Sequence, residues 1–395
     1  MVMPRAVRHI NETRALEALL DLGAMSRADL ARELGVTRST ASSIVASLMA
    51  SGLVIDEASP PDSNPIRTGR PSKRVELHPK HAIFLGADIG VGRITIAAID
   101  LASNVVALET VNYDLADTSP SVVTTLLAKE VSSLVLKLGL REAIKGLSIS
   151  VPGVVDLKGR VIRAPLLEWK NVPILDLLKT SLPDITIARV DHDANAFAVA
   201  DLNSRKDSPV SEAVYIFADA GVGGCVVSGG NILRGFNGYG GEIGHIVVGE
   251  RGYFHPTPVD GSFESFVSRD AILARYRELG GKAESISEFL KSLTDKDPIA
   301  LQVINDWSHY LGRGIATLTS ILNPEKIYIG GGLGPLLNLA HSQVIESMRK
   351  HLLPDSYEPQ IELSELGIEA PAIGAAMMLH REFFEFDTKM LFGTS

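Results

Sequence analysis

The sequence predicts an α/β protein: an N-terminal winged helix-turn-helix followed by a two-lobed body. Three observations predict it. Two short amphipathic helical stretches meet at a Gly-Val turn between residues 26 and 54. A basic, proline-rich segment bounded by two short strand patterns comes next. Further on, a buried strand that ends in Asp and turns through glycines occurs twice, at Asp88 and at Asp219, 131 positions apart.

The first helical stretch begins at Ser26, a side chain suited to capping, and places Leu30, Ala31 and Leu34 on one apolar stripe. Gly35 stands where that helix must stop in a left-handed conformation. Thr37 is a cap for the second helix, whose Ala41, Ile44, Val45 and Leu48 follow the i, i+3, i+4, i+7 rule. Its other face carries Arg38, Ser39, Thr40, Ser42 and Ser43. A helix apolar behind and small, polar and basic in front suits the DNA major groove. An ordinary packed helix pair is the competing reading. Gly52–Ile55 and Arg74–Leu77 read as wing strands. The tip between them holds Pro60, Pro61, Pro65, Arg67, Gly69, Arg70, Pro71 and Lys73. Arg67 and Arg70 beside a glycine suit a minor groove or phosphates, and the same composition suits a flexible linker.

Composition is that of ordinary globular chains: 395 residues, 45% hydrophobic and 22% charged, enough for two or three domains. The lone cysteine, Cys225, excludes an internal disulfide and a thiolate metal cluster, and its apolar run reads as inert packing. No apolar run reaches the ~18 residues of a membrane span. The N-terminus, with Arg5, Arg8, Glu12 and Arg14, does not resemble a signal peptide, so a reducing cytoplasm is the expected location. The net charge of −9 divides unevenly. Residues 1–80 hold 11 basic and 9 acidic side chains, and the rest holds 27 against 38. The mildly basic front suits phosphate contacts, and the acidic body should face away from a duplex.

The body begins near residue 82. Ile83–Asp88 reads as a buried strand that turns through Gly90 and Gly92 and returns as Ile94–Asp100. Ala213–Asp219 repeats the pattern, turning through Gly221, Gly223 and Gly224 into Cys225–Val227. Glycines let backbone N–H groups approach an anion, while the Asp can hold a cation or a water. Two such hairpins facing each other would straddle the phosphates of a nucleotide, the plan of actin/hexokinase-like (ASKHA) proteins. Two unrelated hairpins are the plainer alternative. The expected domains are 1–80 for the head, 81–200 plus about 366–395 for the first lobe, and 201–365 for the second. The Ala-rich stretch Pro371–Phe384 is predicted to return to the first lobe as a helix. Residues 298–332 fit a helix and then a strand, Lys326–Ile329, ending in Gly330, Gly331 and Gly332. That trio suits either a flat ligand or close helix–sheet packing.

Three segments carry side chains that a sugar needs: Val190–Asn195, Gly238–His245 and Gly261–Ser265. Carboxylates at several points around a hexose, with an imidazole, satisfy its hydroxyls through charge-assisted hydrogen bonds. Singly, each of these residues reads as solvated or structural.

With these motifs in place, the chain resembles the ROK family (repressors, open reading frames and kinases), in its NagC/Mlc/XylR-like repressor branch. The resemblance covers nearly the whole chain. Thr68-Gly69-Arg70-Pro71-Ser72 is similar to that branch's wing sequence. Asp191-His192-Asp193-Ala194-Asn195 resembles the family's E-N-D-A-N motif. Gly241-Glu242-Ile243-Gly244-His245 resembles G-E-I-G-H, and Gly261-Ser262-Phe263-Glu264 resembles G-C-L-E. The resemblance implies that Asp193 stands where sugar kinases keep their base. It implies sugar contacts from Glu242, His245 and Glu264, with Gly153 and Asn171 as lining positions.

Three departures from the family pattern matter. Family kinases carry D-x-G-G-T at the first turn. Here Asp88-Ile89-Gly90-Val91-Gly92 puts valine for a glycine and Gly92 for the threonine. At the second turn, G-T-G-I-G-G in the kinases, Ala220 takes the threonine position. Phosphoryl transfer depends on positioning and charge stabilisation, so both turns are read as degenerate and Asp193 as a vestigial base. The family's zinc uses a histidine and three cysteines spaced C-x-C-x4-C. The matching positions include His255, Thr257 and Ser262, poor zinc ligands as a set, so no metal and no cofactor is expected. Finally, His192 replaces the usual asparagine and should alter contacts on one side of the sugar.

The sequence therefore points to a sugar-responsive, DNA-binding transcriptional regulator, a repressor of carbohydrate genes, and not an enzyme. Its expected partners are double-stranded operator DNA, a sugar or sugar derivative, and one or more further copies of itself, as a homodimer or tetramer, with no membrane. An ATP-dependent sugar kinase with a regulatory head is the runner-up. A regulator with a vestigial cleft, controlled by a partner protein, is the third reading.

Overall fold

The computed structural model describes residues 4–57, 73–205, 210–253 and 259–392. The head is built as its caps dictate. Ser26 Oγ accepts from the Asp29 N–H at 3.2 Å and starts the helix Arg27–Leu34, which ends at Gly35 with φ 67°. Thr37 Oγ1 accepts from the Thr40 N–H at 3.2 Å and starts the helix Arg38–Ala50. Leu30, Leu34, Ile44, Val45 and Leu48 are buried together, and Val54, Val75 and Leu77 of the wing close the same core. The wing strands are Val54–Asp56 and Arg74–Leu77, joined by Met25–Ser26 into a three-stranded sheet. Arg67, Arg70 and the rest of the tip from 58 to 72 lie outside the described residues.

One head element escaped the sequence reading. Pro4–Leu22 is a helix, where the sequence was read for charge alone. Ala15, Leu16 and Leu19 bury its inner face against the two shorter helices.

Each half of the body carries one five-stranded sheet. The first runs, in spatial order, Ile187–His192, Ile144–Val151, Ile83–Gly90, Arg93–Asp100 and Val105–Asn112. The second runs Asn231–Ile232, Val222–Ser228, Ala213–Ala218, Lys326–Gly330 and Gln360–Leu363. Every residue of Ile83–Gly90 and Ala213–Ala218 is buried, as strands flanked on both sides and packed on both faces must be. The two predicted hairpins are therefore the central pairs of the two sheets.

The helix Ala370–Phe392 returns to the first sheet as expected. It lies so close that a Cβ on Gly86 would come within 2.1 Å of the Ala372 carbonyl, and one on Gly374 within 1.7 Å of the Ala196 carbonyl. The same helix touches the N-terminal helix Pro4–Leu22, so head and body share one apolar core. Cys225 lies fully buried in that core, and burial holds its thiol well above the usual range.

Candidate functional site

On the helix Arg38–Ala50, Arg38, Ser39, Thr40, Ser42 and Ser43 are all exposed. Ala41, Ile44, Val45 and Leu48 are buried behind them. Three of the front hydroxyls are partly engaged locally: Ser42 Oγ donates to the Arg38 carbonyl at 2.9 Å, and Ser39 Oγ and Thr40 Oγ1 each lie 2.9 Å from Thr37 Oγ1. Arg38 and Ser43 have no such tie among the described residues.

Between the two sheets of the body lies a cavity of about 270 Å³. The helix Asp193–Ser204 starts at its floor, directly after the strand Ile187–His192, and delivers His192 and Asp193. The loop after Asn231–Ile232 delivers Glu242 and His245, and the short helix Glu264–Val267 delivers Glu264. Gly153 and the turn residues Asp88, Gly90, Gly221 and Gly223 also line the cavity. Two expected positions do not. Asn171 sits on the strand Trp169–Val172 with φ 59°, its side chain exposed and its carbonyl accepting from Arg160. Gly92 takes φ 72° on the far side of its turn, facing Leu115.

The cavity is strongly acidic. His192 Nε2 lies 3.2 Å from Asp193 Oδ1, and His245 Nε2 lies 3.7 Å from Glu242 Oε2. Glu264 Oε2 accepts the Val222 N–H at 3.0 Å, yet burial pushes its carboxyl up. Burial also raises Asp193, against the lowering pull of His192. Asp88 is fully enclosed and accepts from Ser150 Oγ at 2.7 Å. Burial, with the nearby Asp193 charge, pushes it up to about 7. At the opposite extreme, His245 Nδ1 is buried without a hydrogen-bond partner. A buried imidazole nitrogen left open costs stability unless something fills it, and a sugar hydroxyl matches it chemically.

The glycines serve the protein more directly than expected. A Cβ on Gly221 would come within 2.6 Å of Glu264 Oε2, so this glycine admits a carboxylate of the chain itself. A Cβ on Gly223 would touch Ala194 and Asp193. Three arginines that pair with the acidic motifs escaped the sequence reading; of them Arg93 lines the cavity. Arg93, just past the first turn, pairs with Asp219 at 2.8 Å. Arg234 pairs in bidentate fashion with Asp191 at 2.7 and 3.0 Å, and its two N–H contacts hold that buried carboxyl below the usual range. Arg269 lies 3.4 Å from Asp219. The one available signal was a basic residue next to each glycine-rich or acidic motif.

Ser262, one of the three expected replacements for zinc ligands, is buried with its Oγ unpartnered. His255 and Thr257 lie outside the described residues. A hydroxyl is a poor zinc ligand, and no three-residue group of metal-ligating side chains occurs among the described residues. Ser262, the one of these positions within the described residues, does not fit a zinc ion.

The ROK family profile matches residues 84–382, about three quarters of the chain. The chain belongs to the ROK family. A MarR family profile matches residues 8–63, the winged head placed ahead of this ROK body. Among curated relatives, the chain is 24% identical over 397 residues to a putative xylose repressor of Caldicellulosiruptor sp. (strain Rt8B.4), covering 96% of this chain and 98% of that one. It is 28% identical over 319 residues to a glucokinase of Halalkalibacterium halodurans, covering 76% of this chain and 95% of that one. Among solved structures, a ROK family transcriptional regulator described as a homologue of Escherichia coli Mlc superposes with a TM-score of 0.73 at 24% identity, covering 98% of this chain and all of that one. The glucokinase alignment covers a smaller share of the chain than the two regulator alignments do.

Proposed function

We propose that this ROK protein is a sugar-responsive transcriptional repressor of carbohydrate genes. It acts in the cytoplasm as a homodimer or tetramer, and binds its sugar without phosphorylating it. The observation that carries this reading is the recognition face. Five small or basic side chains stand exposed on a helix whose whole back is buried, joined in one chain to an acidic sugar-sized cleft. Arg38, Ser39, Thr40, Ser42 and Ser43, with Arg67 and Arg70 of the wing, contact operator DNA. His192, Asp193, Glu242, His245 and Glu264 hold the sugar, with Gly153 as a lining position.

A physical route joins the two sites. The helix Asp193–Ser204 begins at the cleft and packs along the helix Ala370–Phe392, which in turn packs on the head helix Pro4–Leu22. A sugar that favours one placement of Asp193 shifts the head through two rigid elements, to the extent that it binds the two shapes differently.

A gel-shift series with the full chain, candidate operators and candidate sugars tests the reading. The expected result is specific DNA binding that one sugar weakens or strengthens. Absence of any specific operator at every salt concentration counts against it. Sugar-dependent release of ADP from ATP, lost in Asp193→Asn, would instead establish the kinase.

A further inference from the structure

Two of the segments that supply the sugar site start beside a single arginine. Arg234 follows the strand Asn231–Ile232 at the edge of the second sheet, and its side chain crosses to the first lobe. There Nη1 donates to Asp191 Oδ1 at 3.0 Å, and Nη2 lies 2.7 Å from Asp191 Oδ2. Asp191 is only 4% exposed and directly precedes His192 and Asp193. Its Oδ1 also accepts from the His192 N–H and from Asn195 Nδ2, both at 2.9 Å. This carboxylate therefore sets the start of the helix Asp193–Ser204, and the guanidinium holds the carboxylate.

The main chain of the same residue holds the other segment. The Gly240 N–H donates to the Arg234 carbonyl at 2.9 Å, which closes the loop just ahead of Glu242. The closure is tight, since a Cβ on Gly240 would come within 2.4 Å of the Leu233 carbonyl. On the far side of Glu242, Ile243 packs so closely on Gly224 that a Cβ there would fall 2.0 Å from Ile243 Cγ1. Glu242 is thus held from both sides. Arg234 and Asp191 border a separate cavity of about 230 Å³, together with Arg189 and Glu382, which pair at 2.9 Å. Neither borders the sugar-sized cavity, so Arg234 works from behind the site.

We propose that Arg234 is the positioning residue of the sugar site. Without touching the sugar, it sets His192 and Asp193 of one lobe against Glu242 and His245 of the other. A guanidinium fork suits this task because it fixes two carboxylate oxygens at once, and so orientation as well as distance. A sugar that needs both segments binds tightly only while the bridge holds. The inference rests on the sugar reading above and adds the residue on which that site's geometry depends.

The test is calorimetric titration of D-glucose, D-xylose and N-acetyl-D-glucosamine into the full chain, with the melting temperature of each protein recorded alongside. The proteins are wild type, Arg234→Gln, Arg234→Lys and the double variant Arg234→Gln/Asp191→Asn. Arg234→Gln leaves Asp191 buried without its counter-charge and should lose about tenfold or more in affinity for the sugar that wild type binds. Arg234→Lys keeps the charge without the fork and should fall in between; it carries the test if the glutamine variant fails to fold. The double variant replaces the ion pair with two amides that can hydrogen-bond, and should recover most of the loss. A merely structural role would lower the melting temperature and leave the affinity of the folded protein unchanged. That result overturns the proposal, as does a double variant that binds no better than Arg234→Gln. Wild type that gives no saturable heat with any of the three sugars sinks the sugar reading and the proposal with it. Wild type that binds, with Arg234→Gln binding equally tightly, sinks the proposal alone.

Discussion

The two ends of the cleft are built from the same kinds of residue and are in opposite states. At the hydroxyl end, Glu242 and His245 are a quarter exposed, 3.7 Å apart, and His245 Nδ1 has no partner. At the end lined by the glycine turns, Asp219, Arg93 and Arg269 are joined in a bridge between lobes, and the Val222 amide is filled by Glu264. The difference teaches how charged groups at one end of a cleft can be spent inside the chain while the other end stays open. Beside the glycine turns, Asp219 takes Arg93 and Glu264 takes the Val222 N–H. A charge that finds its counter-charge inside the chain has little left to offer a ligand.

The largest test of this contrast is on stability. Asp88 has a folded pKa of about 7 against an ordinary 3.8. The folded state therefore holds a proton that the unfolded chain releases, so stability falls as pH rises from about 4 to about 7 and levels off above. Asp88→Asn keeps the acceptor for Ser150 and removes the titration. Measured by denaturant unfolding, the variant should gain on wild type across that window by on the order of 4 kcal/mol. A pH-independent difference would mean that Asp88 is not held neutral.

Next comes the hydroxyl end. Glu242→Ala removes a charged acceptor, which costs about 2 kcal/mol or a ~30-fold loss of sugar affinity. Basal DNA binding should stay unchanged. Retained release of DNA at the same sugar concentration would break the assignment of that end.

Outside the cleft, Arg38→Ala should weaken operator binding by about 1–2 kcal/mol and lower the salt slope by about one unit if it contacts a phosphate. Sugar binding should not move. If both fall together, head and cleft are not separable sites. The smallest effect is Thr37→Ala, which deletes the cap of the helix Arg38–Ala50 and should cost about 1 kcal/mol of stability. An unchanged melting curve would show that packing, not the cap, starts that helix.

Much of this was legible in advance. Ser26, Thr37 and Gly35 marked the head helices, because capping and left-handed turns are local properties. The paired strand–Asp–Gly patterns marked the two central hairpins, because a buried strand has to be a continuous apolar run. The helix Pro4–Leu22 was missed because it mixes polar and apolar residues, and among its described residues the fully buried apolar ones are just Ala15, Leu16 and Leu19. Arg93 and Arg234 were missed for a different reason. Their partners, Asp219 and Asp191, lie 126 and 43 residues away, and nothing local in a sequence distinguishes a bridging arginine from a solvated one.

Periodicity, capping residues and glycine placement by themselves determined the winged head, the doubled hairpin and the acidic character of the cleft. These depend on neighbours within a few residues. Only the tertiary structure decided which acids are free and which are spent: Glu242 open, Glu264 on an amide, Asp219 across the lobes, Asp88 holding a proton. Charge pairing and desolvation depend on distance through space, and only folding brings residues 93, 219 and 269 within reach of one another.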